Sequence, residues 1–182
     1  MQNKNTSQQK IRRLVLDAML VALYVVFSTV LAFKTPWFEV SLVGLPILLA
    51  ARLFGMQDAL VIAALGSFLE QLMSPYGLSV TTPLWMAPVV LMAAFAALGF
   101  FLVGRRDSLP LTLGVIILSE LLLTVLNTAA LYLDGYIMQY AVKALHLIAL
   151  PRIINSGVRM AISCVLVPLL LPPIRRLAGK TK

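Results

Sequence analysis

Six apolar runs, at approximately 11–33, 40–54, 57–73, 84–103, 109–133 and 145–172, divide the chain, and the segments between them are rich in proline, glycine or charge. A helix crossing the hydrocarbon layer takes about 20 residues. The pattern therefore predicts an all-α integral membrane protein, a single domain of six transmembrane helices covering residues 1–182. The second and third runs are shorter and meet at LFGMQD, so these helices tilt, lie partly in the interface, or are sheltered by neighbours. The first run follows a basic front, is too long for a signal-peptide core, and is read as a retained helix.

Composition agrees with this reading. Of 182 residues, 60% are hydrophobic and 12% charged, against about 25% charged in a soluble domain. Six spans leave no length for an ATPase module, and the chain contains no G-x-x-x-x-G-K-[ST]. The net charge of +8 does not point to nucleic acid, because the basic residues form short clusters between apolar runs rather than a folded basic face. With the N-terminus cytoplasmic, the inner segments carry Lys4, Lys10, Arg12, Arg13, Arg52, Arg105, Arg106, Arg175, Arg176, Lys180 and Lys182, and the outer ones only Lys34 and Lys143. Eleven against two places both termini inside and makes 34–39, 74–83 and 134–144 the outer connections. The single cysteine, Cys164, lies in an apolar run and supports neither an intramolecular disulfide nor a cysteine metal cluster. No metal and no bound cofactor is expected.

The outer connections with the helix starts that follow them, KTPWFE, SPYGLSVTTPLW and DGYIMQYAVKALH, hold both tryptophans, three of the five tyrosines and the only histidine. An interfacial aromatic belt is one reading. An outward-facing ligand site at helix ends is the other. Aromatic and polar groups in all three outer loops, against inner loops carrying mainly arginine, favour the second. Counting about 1.5 Å per residue from the outer ends puts Asn127 and Arg152 on the order of 10 Å deep, and Glu120 and Arg159 at roughly 20 Å. Charges at such depth are costly and mark pairs or sites. Glu120 and Arg159 are expected to form a structural ion pair, the alternatives being a protonated Glu120 or an Arg159 facing another helix. Arg152, near the mouth with Asn127, His146 and Asn155, is the candidate receiver of an anionic ligand group, the alternative being snorkelling to headgroups. Glu70 adds a polar group from the third run. Pro151 suits a first helical turn, and Pro168, Pro172 and Pro173 are expected to end the sixth helix.

In DAMLVALYVV, Ala18 and Ala22 form a small-xxx-small stripe that permits close helix docking in lipid. With the basic front, the stretch VSLVGLPILLAARLFGMQDALVIAALGSFLE and the pair LNTAALYLDG and LPRIINSGVR, the chain resembles the substrate-binding S components of energy-coupling factor vitamin transporters, over nearly its whole length and most closely the folate-type branch. YGLSVTTPLWMAP departs from the folate-type pattern, and an S component for pantothenate or another micronutrient is the alternative. The resemblance implies high-affinity vitamin binding at the outer face of a prokaryotic plasma membrane. It also implies docking of the Ala18/Ala22 face onto a transmembrane coupling subunit served by two cytoplasmic ATPases. Arg152 would take a vitamin carboxylate, and Trp37, Tyr76, Trp85 and Tyr132 would stack on a pterin. An enzyme is not expected, since no H-E-x-x-H, facing Asp pair or Ser/Lys arrangement is present. A self-sufficient secondary transporter is the further alternative, against which stands the lack of an internal repeat.

Overall fold

The computed structural model describes residues 2–34, 39–74, 77–104, 108–139 and 145–177, with side chains described except at 2–7, 9, 33–34, 39–40 and 145–149. Six helices follow one another along the chain: α1 (Gln2–Thr29), α2 (Gly44–Leu53), α3 (Met56–Met73), α4 (Thr82–Val103), α5 (Leu109–Met138) and α6 (Leu145–Leu177). Between α1 and α2 a two-rung antiparallel ladder, β1 (Phe33–Lys34) and β2 (Glu39–Val40), pairs Phe33 with Val40 and packs β2 against α6.

Helix ends depart from the apolar runs for identifiable reasons. Helix α1 reaches back through the polar residues before Lys10 and stops at Thr29 rather than 33. Helix α5 continues past 133 through Asp134 and Gly135, both buried, and ends where Gln139 turns left-handed at φ 58°. Helix α6 runs through Pro168, Pro172 and Pro173 to Leu177, so none of them ends it as expected. Proline removes an intrahelical donor, and Pro172 and Pro173 stand exposed on the helix surface.

Among the described residues, three helices are long and apolar enough to cross a bilayer: Thr82–Val103, Leu109–Met138 and Leu150–Leu177. Helix α2 is the exception in the other direction. Its ten residues, GLPILLAARL, are apolar nearly all round and span about 15 Å. A helix without a polar face belongs in a core, and every residue of α2 except Arg52 is buried against α1, α3, α4 and α6. Its shortness is therefore a matter of shelter rather than of tilt. A turn at Phe54 and Gly55 leads straight into α3, with Gly55 at φ 97°, a conformation open to glycine at no steric cost.

Side-chain ties fix the relative directions. Arg13 grips Asp58 through Nε at 2.6 Å and Nη2 at 2.7 Å, and further along Tyr24 donates to Glu70 at 2.8 Å, so α1 and α3 run parallel. Arg52 Nη1 donates to the carbonyl of Gly104 at 3.0 Å while its guanidinium lies 5.6 Å from the centre of the Phe100 ring. These contacts gather the start of α1, the α2–α3 turn and the end of α4 at one end of the bundle.

Candidate functional site

Helices α5 and α6 pack antiparallel, and their interface is a polar seam. On α5, Glu120, Thr124 and Thr128 recur every fourth residue, and on α6, Arg152, Ser156, Arg159 and Ser163 follow at spacings of four, three and four. Each set lies along one helical face. Arg159 Nε stands 3.5 Å from Glu120 Oε2. Arg159 Nη2 donates to Thr124 Oγ1 at 2.9 Å, and Ser163 donates to Glu120 Oε1 at 3.1 Å. The Thr124 hydroxyl lies 2.9 Å from both the Glu120 carbonyl and Ser156 Oγ, and its one hydrogen serves one of them at a time.

Burial decides how these contacts matter. Glu120 is 1% exposed and Arg159 8%, and charges taken that far from water persist only when paired. Nε of Arg159 and Oε2 of Glu120 are buried and make no hydrogen bond, so their attraction is Coulombic rather than directional. A third element supports the carboxylate. Gly44, the first residue of α2, lies so close that a Cβ there would overlap Glu120 Oε1. Only glycine admits this approach, which brings the positive end of the α2 dipole to the buried anion.

Toward the far end of the seam stands Arg152, half-buried. Its Nη1 donates to Thr128 Oγ1 at 3.2 Å, and Thr128 in turn donates to the carbonyl of Thr124 at 2.7 Å. The guanidinium thus bonds across the interface to α5. Tyr132, one turn beyond Thr128, and Arg159 are within electrostatic range of it. Asn127 and Asn155 are half-buried neighbours in sequence of Thr128 and Ser156. Arg152, Asn127, Tyr132 and Asn155 are therefore carried by one helix pair.

The other residues singled out in the sequence are distributed differently. Trp85 is half-buried in the first turn of α4, after a loop ordered by a 2.8 Å bond from the Ser79 N–H to Thr82 Oγ1. Glu70 lies on α3, which packs on α1, α2 and α4, and its carboxylate accepts from Tyr24, a residue 0% exposed. Trp37 and Tyr76 lie outside the described residues, as does the side chain of His146, whose backbone is in the first turn of α6. Ala18 and Ala22 are exposed on α1, in a stripe with Ile11, Val15, Met19 and Val26, while Leu20 and Tyr24 face the core.

Sequence reasoning missed Thr124, Thr128, Ser156, Ser163, Tyr24 and Gly44. The seam hydroxyls carried a readable signal, since they repeat at helical spacing in register with Glu120 and the arginines. Serine and threonine in membrane helices also bond back to the carbonyl four residues earlier, as Ser119 does to Val115 at 2.7 Å, and this masks the ones that reach across.

Among the described residues no group of three His, Cys, Asp or Glu side chains suits a metal ion. Comparison with curated protein sequences gave no significant match. Among solved structures, the chain is similar to one described as "Crystal structure of FolT bound with folic acid", with a TM-score of 0.65 and 24% identity over 93% of each chain. At that identity the likeness establishes the fold. Residues 12–171 match the family described as "ECF transporter, substrate-specific component". Since that match takes in most of the 182 residues, the chain belongs to the family of substrate-specific components of ECF transporters, membrane subunits that bind the transported substrate.

Proposed function

We propose that this protein captures folate, or a vitamin with the same carboxylated pterin chemistry, at the outer face of a prokaryotic cell membrane and hands it inward as the S component of an ATP-driven transporter. The observation that carries the choice of ligand class is Arg152. It is a half-buried guanidinium held at 3.2 Å by a neutral hydroxyl, Thr128, with further N–H donors beyond that one bond. An arginine in that setting suits a carboxylate, which it takes with two parallel bonds. The similarity of the fold to a FolT bound with folic acid supports the same ligand class.

In this reading the six helices make up one transmembrane bundle with the short α2 sheltered within it, and both termini are cytoplasmic as the positive-inside distribution requires. The vitamin enters at the end of the bundle away from Arg13, Arg52 and Gly104. Its carboxylate meets Arg152 with Asn127, Asn155 and His146 nearby, and its ring stacks among Trp37, Tyr76, Trp85 and Tyr132. Glu70 adds a polar group from the α3 side. The Ala18/Ala22 face docks onto a transmembrane coupling subunit, and two cytoplasmic ATPases supply the work. Desolvated charge pairs truncated on one side lose about 2–5 kcal/mol. Isothermal titration of folic acid is expected to show that loss for Arg152→Ala and partial recovery for Arg152→Lys, which keeps the charge without the planar fork. Unchanged affinity in well-folded Arg152→Ala protein would remove the assignment.

A further inference from the structure

We infer that Thr128 is the positioning residue of the ligand site: its hydroxyl fixes the orientation of the Arg152 guanidinium so that the remaining donors are presented to a ligand carboxylate. The inference rests on the reading of Arg152 given above and goes beyond it to a residue that does not itself touch the ligand.

Three observations lead there. First, the hydrogen of the Thr128 hydroxyl is committed to the Thr124 carbonyl at 2.7 Å, so only its lone pairs face Arg152, and it is a one-way acceptor for Nη1. Second, no carboxylate among the described residues forms an ion pair with Arg152. The nearby buried acid, Glu120, is taken by Arg159, two turns further along α6, with Ser163 and Gly44 completing its surroundings. Third, Thr128 is held by the helix it stands on, since its acceptor belongs to the preceding turn of α5. A long, rotatable arginine is thereby tied at one nitrogen to a fixed point. The guanidinium has five N–H groups in a planar fork, and one bond to Thr128 leaves Nε and Nη2 available as a parallel pair. Holding the fork before the ligand arrives removes an ordering cost from binding.

The test is isothermal titration of the full-length protein with folic acid and, separately, with its dimethyl ester, which lacks the free carboxylates. Thr128→Val keeps the shape and removes the acceptor. Affinity for folic acid is expected to fall about tenfold to a hundredfold, the effect of losing a hydrogen bond to a charged group. Affinity for the ester should stay within about twofold, since a hydrogen-bond effect that acts through the carboxylate has nothing to act on there. Thr128→Ser should restore folic acid binding, and in an Arg152→Ala background Thr128→Val should have no additional effect. Thr128→Ala provides a second deletion of the hydroxyl should the valine perturb folding. Equal losses for acid and ester would overturn the inference and leave a packing role. If Arg152→Ala binds weakly while Thr128→Val binds like the parent, the inference fails and the reading of Arg152 stands. If Arg152→Ala binds like the parent, both fall.

Discussion

Replacing Arg159 with alanine isolates the energetic role of the buried tier beneath the proposed site. The change removes the counter-charge 3.5 Å from Glu120 and the 2.9 Å bond to Thr124, in surroundings where Glu120 is 1% exposed. Deleting one partner of a buried pair costs about 3–5 kcal/mol, because the other charge is left uncompensated. Ser163 and the α2 N-terminus still face the carboxylate, which holds the expected loss toward the lower half of that range. For a chain of this length each kcal/mol moves the thermal midpoint by roughly 2–4 °C, so a fall of about 6–16 °C is expected. The assay is thermal unfolding of the detergent-solubilised protein, with folic acid titration at low temperature as the control; affinity should change little, since Arg159 lies two turns along α6 from Arg152 of the proposed site. Glu120→Gln combined with Arg159→Ala should recover at least half of the lost stability, as coupled neighbours do not add. A midpoint shift under about 2 °C for Arg159→Ala, or strict additivity in the double variant, would refute the argument that the two charges are mutually dependent.

The number and order of helices were legible because six apolar runs are set apart by proline, glycine or charge, and counting along antiparallel neighbours puts Glu120 and Arg159 at one level. What remained hidden depends on partners distant in sequence. The run containing α2 is apolar on every side, and nothing within it says that α1, α3, α4 and α6 surround it. Gly44 reads as an ordinary helix-start glycine until Glu120, far along the chain, is seen against it. Glu70 was singled out by depth alone, and depth does not show that Tyr24 of α1 donates to its carboxylate. Pro172 and Pro173 obey a local rule for ending helices, yet α6 passes through them to Leu177. Thr128 shows the same limit at the site. Its spacing of eight from Glu120 sets it on the same helical face, but a threonine in a membrane helix is silent about whether it bonds across the interface or only back along its own turn.

Two further substitutions probe the two ends of the proposed mechanism. Gly44→Ala forces a Cβ into Glu120 Oε1 and is expected to cost about 1–3 kcal/mol, as overpacking does; a thermal midpoint equal to that of the parent would show that the carboxylate has room to retreat. On α1, Ala18→Trp or Ala22→Trp places bulk on an exposed stripe whose opposite face is anchored by the buried Leu20 and Tyr24. Close helix approach in lipid requires small residues. Folic acid binding by the isolated chain should therefore be unchanged, while ATP-driven uptake in vesicles containing the coupling subunit and its ATPases should be lost. Binding and uptake falling together would place these alanines in the fold of this chain rather than in its docking surface.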